Sequence, residues 1–225
     1  MGGTLRQNTV CGKLGDMPKK DIEVELRGEI RRADIPKIQR HLTARGFKLE
    51  KRFRRTMVMS FGYVEGLGQK LKRGKLQWAD LRCRITNGKA EIMCKIGEGA
   101  AYNRREISIP VSKRDFLRFS EMFGSMAFFT KVGTRETIAY RKGPIQVALV
   151  KSPSGLAYFE LEIMSSRKHE KKDIAKLRAL AKEMGLKRIF GKKEFFAFCD
   201  KLTRRDDWRF TGTAKDLKRL AKEIK

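Results

Sequence analysis

Residues 21–30 read DIEVELRGEI and residues 155–164 read GLAYFELEIM. In both, apolar and charged residues alternate with a period of two, as they do along a strand that presents different chemistry to its two faces. Val24 and Leu26 oppose Glu23, Glu25 and Arg27, and Leu161 and Ile163 oppose Glu160 and Glu162. Working outward, the same period predicts strands at 52–64, 79–86, 89–96, 104–111, 128–141 and 145–151. The pair 79–86 and 89–96 is joined by Asn87-Gly88, a type I′ hairpin signal. That makes about eight strands. A helix is expected after Asp34, read as its N-cap, with Pro36 in the first turn and Gly46 as its end. A second is expected after Ser112, with Asp115 completing the capping box and Gly124 as the stop. Beyond residue 165 the period changes to that of amphipathic helices, at 173–184, 193–202 and 213–224.

The charged faces carry the argument further. Arg82 and Arg84 share a face, as do Arg135 and Arg141, so several strands each bear two long charged side chains and the sign changes from strand to strand. One arrangement is a sheet with a wet face and cross-strand ion pairs. The other closes the sheet into a barrel with the charges inside, where about eight strands leave room for side chains or one small ligand. A lumen of Arg and Lys repels itself when empty and suits a phosphate chain, and glutamates in the same lumen suit a divalent cation.

The composition agrees with a globular chain that meets polyanions. Of 225 residues, 40% are apolar, and 53 Lys and Arg against 26 Asp and Glu give a net charge of +27. Such a field attracts nucleic acid, polyphosphate, nucleotides or an anionic membrane, and charge alone does not choose among them. No apolar stretch is long enough for a membrane span. Residues 1–18 read as a flexible leader without a secretory core. Cys11, Cys83, Cys94 and Cys199 are scattered, which argues against zinc and for free thiols in a reducing cytoplasm. Trp78 and Trp208 read as packing or lid residues, and neither His41 nor His169 reads as a general base. Arg204-Arg205-Asp206-Asp207 reads as a surface turn, and Gly97-Glu98-Gly99 as a loop rather than a phosphate cradle.

Taken in order, five motifs resemble the CYTH (triphosphate tunnel metalloenzyme) family: EVELR (Glu23, Glu25, Arg27), LRCR with MCKIGEG (Arg82, Arg84, Lys95), RREIS (Arg104, Glu106), TRETIAYR (Arg135, Arg141) and the closing ELE (Glu160, Glu162). The resemblance spans residues 23 to about 202. It implies an α+β fold, an eight-stranded, mainly antiparallel barrel with helices outside. The tunnel domain would span 19–202, with a helical extension at 203–225 packed on it. It also implies that Glu23, Glu25, Glu160 and Glu162 hold Mg²⁺ or Mn²⁺, with Glu23, Glu25, Arg27 and Glu106 in catalysis. Arg27, Arg82, Arg84, Lys95, Arg104, Lys131, Arg135 and Arg141 would grip the phosphates. The chain departs from the pattern in several places. Arg27 replaces a Lys, Ser108 a Glu, and Gly133 a Lys for which Lys131 is the substitute; Val150 or Lys151 stands in an Asp position, and TMVMSFGY lacks an acidic residue.

The reading that follows is a cytoplasmic, metal-dependent triphosphatase, monomeric or homodimeric. Its substrate would be inorganic triphosphate, thiamine triphosphate, a nucleoside triphosphate or an RNA 5′ end. The alternatives are a class IV-type adenylate cyclase and a non-catalytic module that binds polyphosphate or RNA through the basic surface.

Overall fold

The computed structural model describes residues 22–64, 77–96, 103–126, 129–166 and 168–224. The expected leader, Cys11 and the Gly97–Gly99 loop lie outside the described residues. The architecture is mixed α/β: a nine-stranded antiparallel sheet with five helices. The strands are β1 (Ile22–Ile30), β2 (Lys48–Val64), β3 (Gln77–Thr86), β4 (Lys89–Ile96), β5 (Asn103–Val111), β6 (Phe129–Lys142), β7 (Ile145–Lys151), β8 (Ala157–Ser165) and β9 (Trp208–Arg209). The helices are α1 (Ile35–Ala44), α2 (Lys113–Ser125), α3 (Glu170–Glu183), α4 (Lys192–Arg205) and α5 (Ala214–Glu223).

The two stretches read first are neighbours. β1 and β8 pair antiparallel over their full lengths, Glu25 opposite Glu162 and Arg27 opposite Glu160. The strand order is β2-β3-β4-β5-β1-β8-β7-β6-β9. β2 also pairs with β6 on its other side, from Lys48↔Arg141 to Phe61↔Phe129. The β3–β4 hairpin turns at Asn87-Gly88, both at positive φ as a type I′ turn requires.

Alternation then sorts the residues. One face of the sheet collects the apolar partners of the charged residues, and helices cover it in two patches. Val24, Leu26, Phe159, Leu161 and Ile163 pack with Leu42 of α1 and Leu177 and Ala181 of α3. Val58, Cys83, Ile85 and Val132 pack with Phe116 and Phe123 of α2 and Leu220 of α5. The opposite face keeps the charges.

Several local expectations are corrected. Asp34 stands at the N-cap position of α1, as expected, but its side chain does not cap the helix: the residue ends a 3₁₀ turn, and its carboxylate takes two 2.8 Å hydrogen bonds from Arg31. Ser112 does cap α2, accepting from the Asp115 amide at 3.0 Å. Gly124 is not the stop: α2 runs to Ser125, and Gly124 is small because a Cβ there would lie 2.4 Å from the Gly212 amide. β2 begins four residues earlier than the period indicated, because a register shift between Leu49 and Lys51 hides the alternation. β9 was not expected at all. Trp208 on β9 packs against Phe210 and under the Arg219 guanidinium (4.0 Å), in keeping with a packing role; the Trp78 side chain lies outside the described residues. Cys83, Cys94 and Cys199 are free thiols.

Among the described residues no helix is long and apolar enough to cross a membrane.

α4 is seated against the charged face at one end of β1. The Phe190 amide donates to the Arg27 carbonyl at 2.8 Å, and Gly28 bridges to Ile189. Gly28 permits this approach, since a Cβ there would stand 1.8 Å from the Arg188 carbonyl oxygen. Lys201 of α4 adds a 3.0 Å bond to Glu29.

Candidate active site

The charged faces of β1 and β8 bring three carboxylates together. Glu25, Glu160 and Glu162, from β1 and β8, each place a carboxylate oxygen within 4.8 Å of the others. Burial pushes the Glu162 carboxyl well above its ordinary range, and Glu25, Glu160 and Glu23 add repulsion. Glu160 is raised for the same reasons, burial first and Glu25 next. Three carboxylates so close are a donor set for a hard divalent cation, which would relieve that repulsion. Glu23 stands apart from this trio: it accepts from Lys95 Nζ at 3.2 Å.

Arg27 is the hinge of the cluster. It pairs with Glu25, donates from Nε to Glu160 at 3.2 Å, and lies over the Phe195 ring of α4 at 5.2 Å. Burial opposes its charge, yet the carboxylates, Glu25 first, hold the guanidinium above its usual range.

The other basic residues are also partnered, which corrects the expectation of a self-repelling lumen. Arg82 makes a bidentate pair with Asp80, 2.8 and 2.6 Å. Arg84 pairs with Glu91 at 2.5 Å. Arg135 and Lys131 both meet Asp207, at 2.6 and 2.8 Å. Arg55, on the same face, donates to Thr86 and lies over Phe53 at 4.8 Å; burial and then Arg84 lower its pKa.

Arg27, Arg82, Lys131, Arg135 and Glu160 line one cavity of about 540 Å³. Its far wall is apolar and comes from outside the predicted motifs: Phe129 of β6, and Phe195, Phe196 and Leu202 of α4. The volume lies in the range typical of small-molecule sites.

Not every expected residue is gathered here. Arg141 is exposed near the end of β6, bonded to Glu50 and Gln146, and reaches the cluster through Gln146, which donates to Glu162 at 2.9 Å. Arg104 and Glu106 lie on β5, but their side chains are outside the described residues. The Arg204–Asp207 tract is not a surface turn: α4 continues to Arg205, and the Asp207 side chain is wholly buried. Sequence reasoning missed Asp80, Glu91 and Asp207. The first two share a period-two face with Arg82 and with Lys95 and could have been found that way. Asp207 lies outside the main strands and carried no such signal.

No protein-family model matches the sequence, and no curated protein does. Solved structures match over most of their length. They include PH1012 from Pyrococcus horikoshii (TM-score 0.54, 20% identity, 76% of this chain and 93% of that one). PH1819 from the same organism gives a TM-score of 0.55 at 17% identity, over 79% of this chain and 99% of that one. A "putative adenylate cyclase" from Vibrio parahaemolyticus gives 0.56 at 15% identity, over 79% and 98%. Low identity with a shared strand frame marks this chain as a divergent example of the CYTH-like fold.

Proposed function

We propose that the chain binds a triphosphate-bearing substrate in a tunnel formed by β1–β8 and hydrolyses it with the help of a divalent cation. The pairing of β2 with both β3 and β6 supports the tunnel. The observation that carries the reading is the convergence of three carboxylates within 4.8 Å beside a cavity into whose lining Arg27 and Arg82 enter.

The carboxylates Glu25, Glu160 and Glu162 would hold Mg²⁺ or Mn²⁺, with Glu23 available nearby. The ion, when bound, neutralises charge on the phosphates and on the transferred phosphoryl group. Arg27 and Arg82 face the same cavity and supply guanidinium forks, which match phosphate oxygens in pairs. Arg84 and Lys95, on β3 and β4, would add to the grip, and the family resemblance adds Arg104 to them. Because Arg27 is already fixed by two carboxylates and a phenyl ring, it meets the substrate without first giving up rotamer freedom. Glu25 and Glu23 would orient an attacking water, with Glu106 in support, as the family resemblance implies.

The Phe195–Phe196 wall favours a substrate with an organic end over inorganic triphosphate. That same wall supports the second reading, an adenylate cyclase, which also fits the name of the Vibrio neighbour. A panel of triphosphates with Mg²⁺ or Mn²⁺ tests both. Orthophosphate release identifies the hydrolase; cyclic AMP with pyrophosphate identifies the cyclase. Salt-sensitive binding without turnover would leave only a polyanion-binding module.

A further inference from the structure

The charged face of β6 runs Lys131, Gly133, Arg135. Glycine interrupts a row of long cations, and Asp207 fills the gap. Its Oδ1 accepts from Arg135 Nη2 at 2.6 Å. Its Oδ2 lies 2.8 Å from Lys131 Nζ but off the axis of a hydrogen bond, so that contact is coulombic while Lys131 donates to the Thr203 hydroxyl. A Cβ at Gly133 would stand 2.3 Å from Asp207 Oδ1, so the carboxylate and any side chain at 133 exclude each other.

A carboxylate spanning two buried cations takes the contacts that a phosphoryl group makes with residues of the same types. Asp207, however, is anchored on both sides. Its neighbour Asp206 accepts from the Ser154 amide and hydroxyl at 2.6 and 2.8 Å. On the other side β9 pairs with Lys131 and Val132, the Phe210 amide donates to the Thr130 carbonyl at 3.0 Å, and the Phe210 ring is buried. These bonds hold the Asp207 backbone in place, so the carboxylate can leave only by turning its own side chain away from Arg135 and Lys131. It is therefore a resident of this position and not part of a swinging arm.

We infer that Asp207 is a resident counter-ion seated in a would-be phosphate position on β6, and that it limits the cavity to shorter phosphate chains by taking Lys131 and Arg135 out of substrate binding. This rests on the triphosphate reading above and refines its specificity: the grip falls to Arg27, Arg82, Arg84 and Lys95.

Titration calorimetry of the full chain with pyrophosphate, tripolyphosphate and tetrapolyphosphate, at one ionic strength, tests it. Asp207→Asn keeps the shape and removes the charge. It should raise the affinity ratio of tetrapolyphosphate to pyrophosphate by about tenfold or more, the worth of one new charge-assisted contact. Lys131→Met, which leaves Asp207 paired with Arg135, should leave tripolyphosphate affinity essentially unchanged. If Asp207→Asn fails to fold, the Lys131 variant decides alone. An unaltered length ratio in Asp207→Asn, or a large loss of tripolyphosphate affinity in Lys131→Met, overturns the inference while leaving the wider reading intact. If neither the parent nor Asp207→Asn binds any phosphate chain, the wider reading fails and takes the inference with it.

Discussion

Lys95 on β4 donates to Glu23 on β1 at 3.2 Å, reaching past the intervening β5. The contact joins the ammonium row of one strand to the carboxylate row of another, and it holds Glu23 apart from the Glu25–Glu160–Glu162 trio. Lys95→Met should release that carboxylate towards its fellows. The expected outcome is tighter Mn²⁺ binding and weaker tripolyphosphate binding in the same variant, both read by calorimetry. Parallel loss of both would mean that Lys95 only props the strand.

Glu162 makes the metal-free protein sensitive to pH in a particular direction. Its folded-state pKa is raised well above the ordinary 4.5. The folded state therefore holds the proton more tightly than the unfolded chain, and stability falls as pH rises from about that ordinary value through the raised one. Glu25, Glu160, Glu23, Lys95 and Gln146 surround it. Glu162→Gln removes the charge and should melt higher than the parent at neutral pH, by about 2–4 °C for each kcal/mol relieved in a chain of this size. The gap should close on acidification below pH 4.5 or so, and Mn²⁺ should narrow it by stabilising the parent alone. A gap independent of pH would show that the carboxylate is not strained.

Arg82 cannot be tested by simple truncation. Its partner Asp80 is 2% exposed, and breaking a buried pair costs about 3–5 kcal/mol because one charge is stranded. Arg82→Ala should unfold at markedly lower temperature, and the double change Arg82→Gln with Asp80→Asn should recover most of the loss. If Arg82 grips phosphate, the recovered double variant still binds tripolyphosphate at least about tenfold more weakly, the loss of one charge-assisted bond. Full recovery of binding along with stability would assign the pair to structure alone.

How much of this was readable beforehand follows from where each residue sits. Glu25, Arg27, Arg82, Arg84, Glu160 and Glu162 lie on strands, where alternation alone announces a shared face. The same alternation located eight of the nine strands. It failed at the start of β2, where the register shifts, and at β9, whose two residues are too short to show a period. It is blind to Phe195, Phe196 and Asp207, because these come from α4 and the segment after it. Their place in the site depends on how that segment docks on β1, which is a matter of tertiary packing and not of local pattern.

That docking gives a further test. Gly28→Ala puts a methyl group against the Arg188 carbonyl and the Phe159 ring. Overpacking of this kind costs about 1–3 kcal/mol, occasionally more. The segment must lift off or the strand must bend, so α4 should become a preferred site of limited proteolysis while the β-sheet circular dichroism signal is retained. An unchanged digestion pattern would show that α4 is held by other contacts.

β1 finds both of its partners late. Ile22 pairs with Ser165, and on its other edge Glu23 faces Arg104. On a ribosome adding about 5–20 residues per second, the first strand waits on the order of ten seconds or more before its chief partner has been made. Until then Val24 and Leu26 have no core to enter. The alternating Glu and Arg residues give the waiting strand a charged edge, which guards it against pairing with other chains. The side chains proposed here to meet a metal and a phosphate chain would thus first serve as gatekeepers during synthesis. Chains with Glu23 and Glu25 both neutralised should aggregate during refolding even where the finished fold tolerates the change.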